Sequence, residues 1–486
     1  MNPASFGLAA RLWTIAAAFL IGGPGILSTS ISGTPAAEAA EPALLAPREP
    51  GTSARPAGKV LTLNEAIRLG VAHHPLIEQS RAGLLTAKAL TKQTRGNRYP
   101  WLEGSVAEAS GSLRIVTTDG RIVHDQGGLG FNPGGALPHH NQNMLTGGLI
   151  LNQLITDFGY TAHRILANEA NEAASEKEIL TNKAFIVLQV QRAYLHCLLQ
   201  QSLADIAEKT FTRRKAVSEQ VHALYKNQLR SKVDLDLILV EVSGAELALI
   251  KARNDLAQAF AALNNAMGIE VPERYELEPL SIHVAPSPDV ESLIQTGLNH
   301  RPELLGARDR IVVGDELLQA AKALNFGSLS AVGTIGVTKY WDAYDGGVHD
   351  DEIAPLWGVG ATLKVPIFTG FRIQSQTKEA DYRKGESVEE LQNLANQVVL
   401  QIVRARLTKI TNAEQIRLEE DRVAYAREAL MLSEQRYRLG LSPILDIVRS
   451  TTALFEAESR LAEAQIIYKI SEVAVVYAIG QGYQQF

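Results

Sequence analysis

The feature that most constrains this chain is that it repeats itself. Ile67, Gly70, His73 and Pro75 recur as Ile294, Gly297, His300 and Pro302, at an offset of 227 residues. From Ala405 onward the offset is 212; it pairs Tyr225 with Tyr437, Asp234 with Asp446, Glu246 with Glu458 and Gly268 with Gly480. The 15-residue difference is extra length in the first copy, most simply in its longer loop. Whatever one half builds, the other must therefore build again. The boundaries read as a first repeat over 61–268, a linker over 269–286, a second repeat over 287–480 and a tail over 481–486.

Each copy has the same order: helix, strand, strand, long helix, turn, helix. The first opens with a capping box, Thr62 with Glu65, in which the hydroxyl and the carboxylate each satisfy a free backbone amide. The spacing predicts a helical stretch from there to about Arg98, ended by Tyr99-Pro100-Trp101. Alternation at Leu149, Leu151, Gln153 and Ile155 predicts a strand. So do Leu329 to Val337 and Val359 to Ile367 in the second copy. A Gly/Pro-rich loop over 104–143 contains Gly127 to Gly135 but lacks the lysine and Ser/Thr of a phosphate-binding loop. In the second copy, Ser287-Pro288 reads as a helix N-cap followed by proline at the first helical position.

From Thr161 to Lys226 a helical pattern runs without proline or glycine, roughly 95 Å at 1.5 Å per residue. The turn Tyr225 to Asp234 follows, then a helix to Met267, with Gly268 suited to the left-handed position after it. The apolar seam of this helix is regular: Leu235, Ile238, Val242, Ala245, Leu249, Ala252, Leu256, Ala259, Leu263, Ala266. That 3–4 spacing specifies a left-handed coiled coil. The second copy carries a matching seam, Leu454, Ala457, Leu461, Ala464, Tyr468, Ser471, Val475 and Ala478.

Two physical arguments follow. The long helix is too long for either shorter helix alone, but two shorter ones stacked end to end would cover it, so each half should be a long coiled-coil arm. The strands number only four per chain. A four-stranded ribbon has open edges, and the smallest transmembrane barrels need about eight strands. Trp101, Trp341 and Trp357 lie at predicted strand ends with Tyr99, Phe158, Tyr160, Tyr340, Phe368 and Phe371 nearby, an aromatic pattern suited to a membrane–water interface. A barrel shared between subunits accounts for all of this; a soluble sandwich with edge aromatics is the competing reading.

Composition narrows the function. Net charge is −6 over 486 residues, so no basic surface argues for nucleic acid. The single cysteine, Cys197, excludes an intrachain disulfide and a multi-cysteine metal site. It reads as a small core hydrophobe beside Val187, Val190 and Tyr194. No HExxH, GxxxxGK[ST] or CxxC is present, and His73-His74 and His139-His140 have no carboxylate at ligand spacing. No cofactor is expected. The run His349 to Glu352, with Asp342 and Asp345, reads as a solvated loop. Residues 1–39 read as a secretory signal peptide, with Arg11, an apolar run Leu12 to Ile21 and small residues at Ala37-Glu-Ala39; a Pro/Ala-rich linker covers 40–60.

The chain resembles the TolC family of outer-membrane efflux and secretion channels over about 61–480. The resemblance rests on Leu61-Thr-Leu-x-Glu-Ala-Ile with Pro75, on the duplication, on Pro366-Ile-Phe-Thr-Gly, and on Tyr437-x-x-Gly440 with Asp446. It implies a mainly α fold with a small β part. In that fold, coiled-coil hairpins form an α-helical barrel, and four strands per chain enter a 12-stranded β-barrel of a homotrimer. It also implies a periplasmic adaptor protein, an inner-membrane pump of RND, ABC or MFS type, and a place in the outer membrane of a Gram-negative bacterium with a large periplasmic part. Function would be a passive duct of a tripartite efflux or type I secretion system, gated at the hairpin tips. A periplasmic coiled-coil scaffold or adhesin without a pore is the alternative, and an enzyme is not expected.

By position, the resemblance assigns Tyr437 a hydrogen bond to Asp234 on the neighbouring hairpin and makes Asp446 part of an acidic constriction. It places Tyr225, Gly440 and Leu441 at the adaptor contact. Two departures stand out. Ser442 occupies the place of the family's gate arginine, and Arg449 that of its second constriction aspartate. Arginines beside the Asp446 ring would weaken cation trapping. Gln228 stands where the turn pattern has glycine.

Overall fold

The computed structural model describes residues 60–111, 115–116, 122–123, 142–270, 274–279, 281–342 and 353–484. The expected signal segment, almost all of the 40–60 linker, the Gly127 to Gly135 loop, His139-His140 and the acidic run at 349–352 lie outside them. In chain order the elements are β1 (Val60–Leu61), α1 (Leu63–His73), α2 (Pro75–Gly96), β2 (Trp101–Gly111), β3 (Ile115–Val116) and β4 (Ile122–Val123). Next come β5 (Gln142–Thr156), α3 (Tyr160–Lys226), α4 (Lys232–Ala266), β6 (Glu276–Leu277), α5 (Val290–His300) and α6 (Pro302–Ala323). The last are β7 (Ser328–Asp342), β8 (Ile353–Lys364), α7 (Arg372–Arg438) and α8 (Ile444–Ala478).

In the helices the duplication holds to the residue. The long helices α3 and α7 each have 67 residues, and their partners α4 and α8 each have 35. The opening helices match as well: α1 and α5 have 11 residues, α2 and α6 have 22. Chain contacts nonetheless divide the molecule by structure type rather than by repeat. One unit gathers the long strands of both copies, 97–158 and 326–367 among them, and the other gathers the helices with the short β1–β6 pair.

In the helical unit each long helix packs on the shorter helices of its own copy, and α3 is covered by α6 and α8 of the second copy as well, with His163 of α3 bonded to Glu316 of α6 at 2.7 Å. The predicted seam of α4 faces inward throughout. Leu235, Ile238, Ala245, Leu249, Ala259 and Leu263 are buried, while Val242, Ala252, Leu256 and Ala266 are half-buried. Along α8 the seam from Leu454 to Ala478 is buried except for half-buried Leu461. Cys197 is fully buried among Val187, Val190 and Tyr194, as its pattern implied, and burial pushes its thiol up to about 12.

Four expectations need correction. The loop expected over 104–143 is strand at both ends: Gly104 to Gly111 continue β2, paired in register with Leu149 to Gln142 of β5. The single helical stretch toward Arg98 is two helices broken at His74, which is extended (φ −70, ψ 126). The following Pro75 has no N–H to continue the ladder and disfavours helical backbone before it. The second copy breaks the same way at Arg301, ahead of Pro302. The helix expected at Ser287-Pro288 begins instead at Val290, because Asp289 is the cap: its carboxylate accepts from the Glu291 amide at 3.2 Å. Finally, Val365 and Ile367 lie beyond the end of β8 at Lys364, where Pro366 removes a ladder donor.

Each break receives the end of the copy's last helix. Gly268 (φ +71) follows α4 and Gly480 (φ +73) follows α8. A Cβ on either would sit 2.9 Å from the Cα of His74 or of Arg301 respectively. Arg301 is buried and makes the second joint tight. Its Nε donates to Glu303 at 2.6 Å, and its Nη1 donates to Gln401 Oε1 at 2.8 Å and to the Ala478 carbonyl at 3.3 Å. The linker between copies is pinned by two tyrosines. The Tyr194 hydroxyl accepts from the Glu278 amide at 3.1 Å while donating to the Leu61 carbonyl of β1 at 2.9 Å, and the Tyr468 hydroxyl accepts from the Ala285 amide at 3.1 Å.

The strand unit is built on a four-stranded antiparallel sheet in the order β2-β5-β7-β8, with β3 and β4 pairing separately; among the described residues β2 and β8 each keep one unpaired edge. Register aligns the apolar residues of one face into rows. Leu102, Leu151, Gly333 and Val359 form one, and Gly104, Leu149, Ile335 and Trp357 the next. This face is bare: Val359 is 85 % exposed and Trp357 77 %. The opposite face mixes small and polar residues with Ile150 and Leu356, in the rows Ser105–Gly148–Gly336–Leu356 and Glu103–Ile150–Thr334–Gly358.

Replacing Gly480 by valine forces a left-handed backbone and a clash with Arg301, and should cost roughly 2–4 kcal/mol. Gly385→Ala, on an open face of α7, should instead be neutral or gain up to about 1 kcal/mol. Far-UV circular dichroism melts in detergent check the contrast.

Candidate functional site: the two hairpin tips

The tips follow from how each long helix ends. At the first tip the Gln228 amide donates to the Tyr225 carbonyl at 2.9 Å and the Leu229 amide to the Leu224 carbonyl at 2.9 Å. At the second, Gly440 donates to Tyr437 at 3.0 Å and Leu441 to Arg436 at 2.9 Å. Both are Schellman closures, which satisfy the last free carbonyls through one left-handed residue. At the second tip that residue is Gly440 (φ +73); at the first it is Gln228 (φ +57), which keeps the same turn at a steric cost. The return helices start differently. Ser231 caps α4, its Oγ accepting from the Asp234 amide at 3.2 Å, whereas Pro443 precedes α8 without a side-chain cap. Exposed leucines crown both tips: Leu229 at the first, Leu439 and Leu441 at the second. Tyr225 stands partly exposed beside them.

Tyr437 lies deeper than a surface latch. It is 2 % exposed and packs in a cluster with Val221, Leu235 and Ile238 of the first hairpin and Val423, Leu430, Ile444, Ile447 and Leu454 of the second. Its hydroxyl makes no hydrogen bond among the described residues, so the bond to Asp234 that the resemblance implies is not made within the chain. Burial pushes the Tyr437 phenol up, Arg230 pulls it down, and the nearby Asp234 charge adds to the rise.

The contact the structure does make is to Arg230. Its guanidinium lies 4.3 Å from the Tyr437 ring centroid, and its Nη2 donates to the Tyr437 carbonyl at 2.9 Å. Arg230 was not among the residues expected at this site, although the repeat contained a signal. The 212-residue offset pairs it with Ser442, the position where the resemblance calls for arginine. Ser442 itself is buried, and its Oγ makes no hydrogen bond among the described residues. Asp446 is half-buried on the first turn of α8 and Arg449 is exposed one turn on; no ion pair joins them among the described residues. A second tie between hairpins lies farther from the tips. Arg214 pairs with Glu241 at 2.9 Å and donates to Thr452 Oγ1 at 2.9 Å.

Among the described residues no group of three or more His, Cys, Asp or Glu could hold a metal ion, and no helix is long and apolar enough to cross a membrane. Gln228→Gly should relieve the left-handed strain and stabilise the first tip by about 1 kcal/mol. Slower hydrogen exchange of the Leu229 amide reads this out.

Comparison with known proteins agrees with this architecture. The outer membrane efflux protein family matches residues 67–269 and 293–481, one segment in each repeat. The chain is 24 % identical over 355 residues to outer membrane protein TolC of Escherichia coli (strain K12), covering 70 % of each chain. It is 22 % identical over 402 residues to the cation efflux system protein CusC of the same strain, covering 82 % of this chain and 81 % of the other. The crystal structure of the outer membrane protein VceC from Vibrio cholerae superposes with a TM-score of 0.69 at 19 % identity, covering 87 % of this chain and 96 % of that one. The chain belongs to the outer membrane efflux protein family, a family of channel proteins with the TolC-like fold.

Proposed function

We propose that this chain is the outer-membrane duct of a tripartite efflux or type I secretion system: three copies form one passive channel in a Gram-negative outer membrane, gated at the periplasmic hairpin tips. The observation that carries the reading is the strand unit. Four strands that, among the described residues, have two unpaired edges and one exposed apolar face are incomplete in isolation. Three copies, joined β8 to β2, would give a closed barrel of 12 strands, with the rows through Trp357 and Val359 against lipid and the smaller, more polar face toward a lumen.

The helices support the same assembly. Beyond its buried seam, α4 exposes Val233, Leu237, Val240 and Leu247, and α7 exposes Leu407, Ile410 and Leu418. Apolar positions at helical spacing on both outer helices fit contact with the neighbouring copies. At the tips, Asp446, Arg449 and Ser442, together with the Tyr437 and Asp234 pair, would line or brace the constriction. Tyr225, Gly440 and Leu441 would meet a periplasmic adaptor, with Leu229 beside them. No phosphate-binding motif occurs in the sequence, so transport energy would come from an inner-membrane pump of RND, ABC or MFS type.

The purified protein should sediment in detergent as three chains and conduct ions across a planar bilayer; a soluble monomer without conductance would overturn the reading. Face-specific variants sharpen it. Val359→Arg should cost about 2–4 kcal/mol per chain by placing a charge against lipid and should deplete the membrane-inserted oligomer. Ser105→Lys, on the opposite face, should insert normally and change ion selectivity.

A further inference from the structure

We propose that Arg230 is the clasp that holds the two hairpin tips of one chain together, and that it does so through the ring and backbone carbonyl of Tyr437 rather than through the tyrosine hydroxyl. This inference rests on the duct reading above and names a positioning residue for its gate.

Three independent attractions converge on the guanidinium. It lies 4.3 Å from the Tyr437 ring centroid, within the range of a cation–π contact. Its Nη2 donates to the Tyr437 carbonyl at 2.9 Å, a charge-assisted bond to a carbonyl that also accepts from the Gly440 amide. That carbonyl belongs to the last turn of α7, where the helix dipole favours a cation. Arg230 is itself half-buried, which shields these contacts from solvent screening. The phenol contributes to none of them, because its buried oxygen has no hydrogen-bond partner among the described residues.

The clasp joins residues 207 positions apart on different hairpins. It is also one-sided. In the second hairpin the position equivalent to Arg230 is Ser442, and the ring equivalent to Tyr437 is Tyr225. A serine cannot supply a guanidinium, so hairpin two has no matching clasp to offer any Tyr225 ring. Within one chain, the tie between the two hairpin tips therefore depends on Arg230 of the first hairpin, and the tips are free to part only when it lets go.

Single-channel conductance of the full-length protein in planar bilayers tests this. Arg230→Gln should shift the tip equilibrium toward open by roughly tenfold, seen as higher mean conductance. Arg230→Lys keeps the charge but loses the planar fork, and should fall between Arg230→Gln and wild type. The decisive comparison is at Tyr437. Tyr437→Leu removes the ring and should open the tip nearly as far as Arg230→Gln, whereas Tyr437→Phe, which removes only the hydroxyl, should open it far less. The reverse ranking, or wild-type conductance in both Arg230 variants, overturns the clasp. Should Arg230→Gln fail to assemble, as judged by loss of the detergent-stable oligomer, Arg230→Lys and the two Tyr437 variants still decide the point. Absence of any conductance in the wild type would instead count against the duct reading.

Discussion

A helix of 67 residues, about 100 Å long, persists only while apolar partners cover it along its length. That requirement organises the helical unit. Neither partner of α3 is long enough alone, so α1 and α2 serve one stretch and α4 the other, α7 is served the same way by α5, α6 and α8, and α6 and α8 also pack on α3. The joint between two partners is a weak point, because helix ends leave backbone groups unsatisfied. Both copies reinforce it by the same means: a proline-broken corner, a left-handed glycine seated on it and, in the second copy, Arg301 bonded to the Ala478 carbonyl. The linker between copies is then fastened by Tyr194 and Tyr468, so the two arms share a brace as well as a design.

Much of this was legible in the sequence because it is periodic. Seams spaced 3–4 residues apart, strands with strict alternation and a repeat offset held over long stretches each carry their signal in many residues, so one exception does not mask it. Features resting on a single residue were harder to read. The corner at His74 was read as continuous helix because the apolar spacing runs through it: Ile67 and Gly70 before the break and Ile77 and Ser80 after it are all buried. The start of α5 was displaced because serine and aspartate are both good caps, and the choice fell to Asp289. Arg230 was missed for a different reason. Its partner is far off in sequence, and a ring-stacked guanidinium leaves no local pattern. Only the offset joining Arg230 to Ser442 pointed to it.

The tips show how a duplication diverges while its backbone stays constant. The Schellman closure is the same in both, yet one uses Gln228 and the other Gly440. Arginine and serine occupy one equivalent position, and Ser231 and Pro443 another. Those exchanges alter charge, capping and strain without altering where the chain turns. Function at such a mouth can change one side chain at a time because the closure beneath it depends on backbone bonds.

The equal lengths of the two arms have a consequence for how such a chain can vary. Arg230 meets Tyr437 only because α3 and α7 deliver their last turns to the same level. One residue inserted in either long helix would advance its tip by about 1.5 Å and rotate it by roughly 100°. The guanidinium would then no longer lie over the ring, and the seam below would turn out of phase. Arm length is thus a shared gauge. It can be lengthened or shortened only by whole heptads, in both copies and in both strokes of each hairpin at once. Divergence within this architecture is therefore channelled into side chains and loops, with the lengths of the staves held in common.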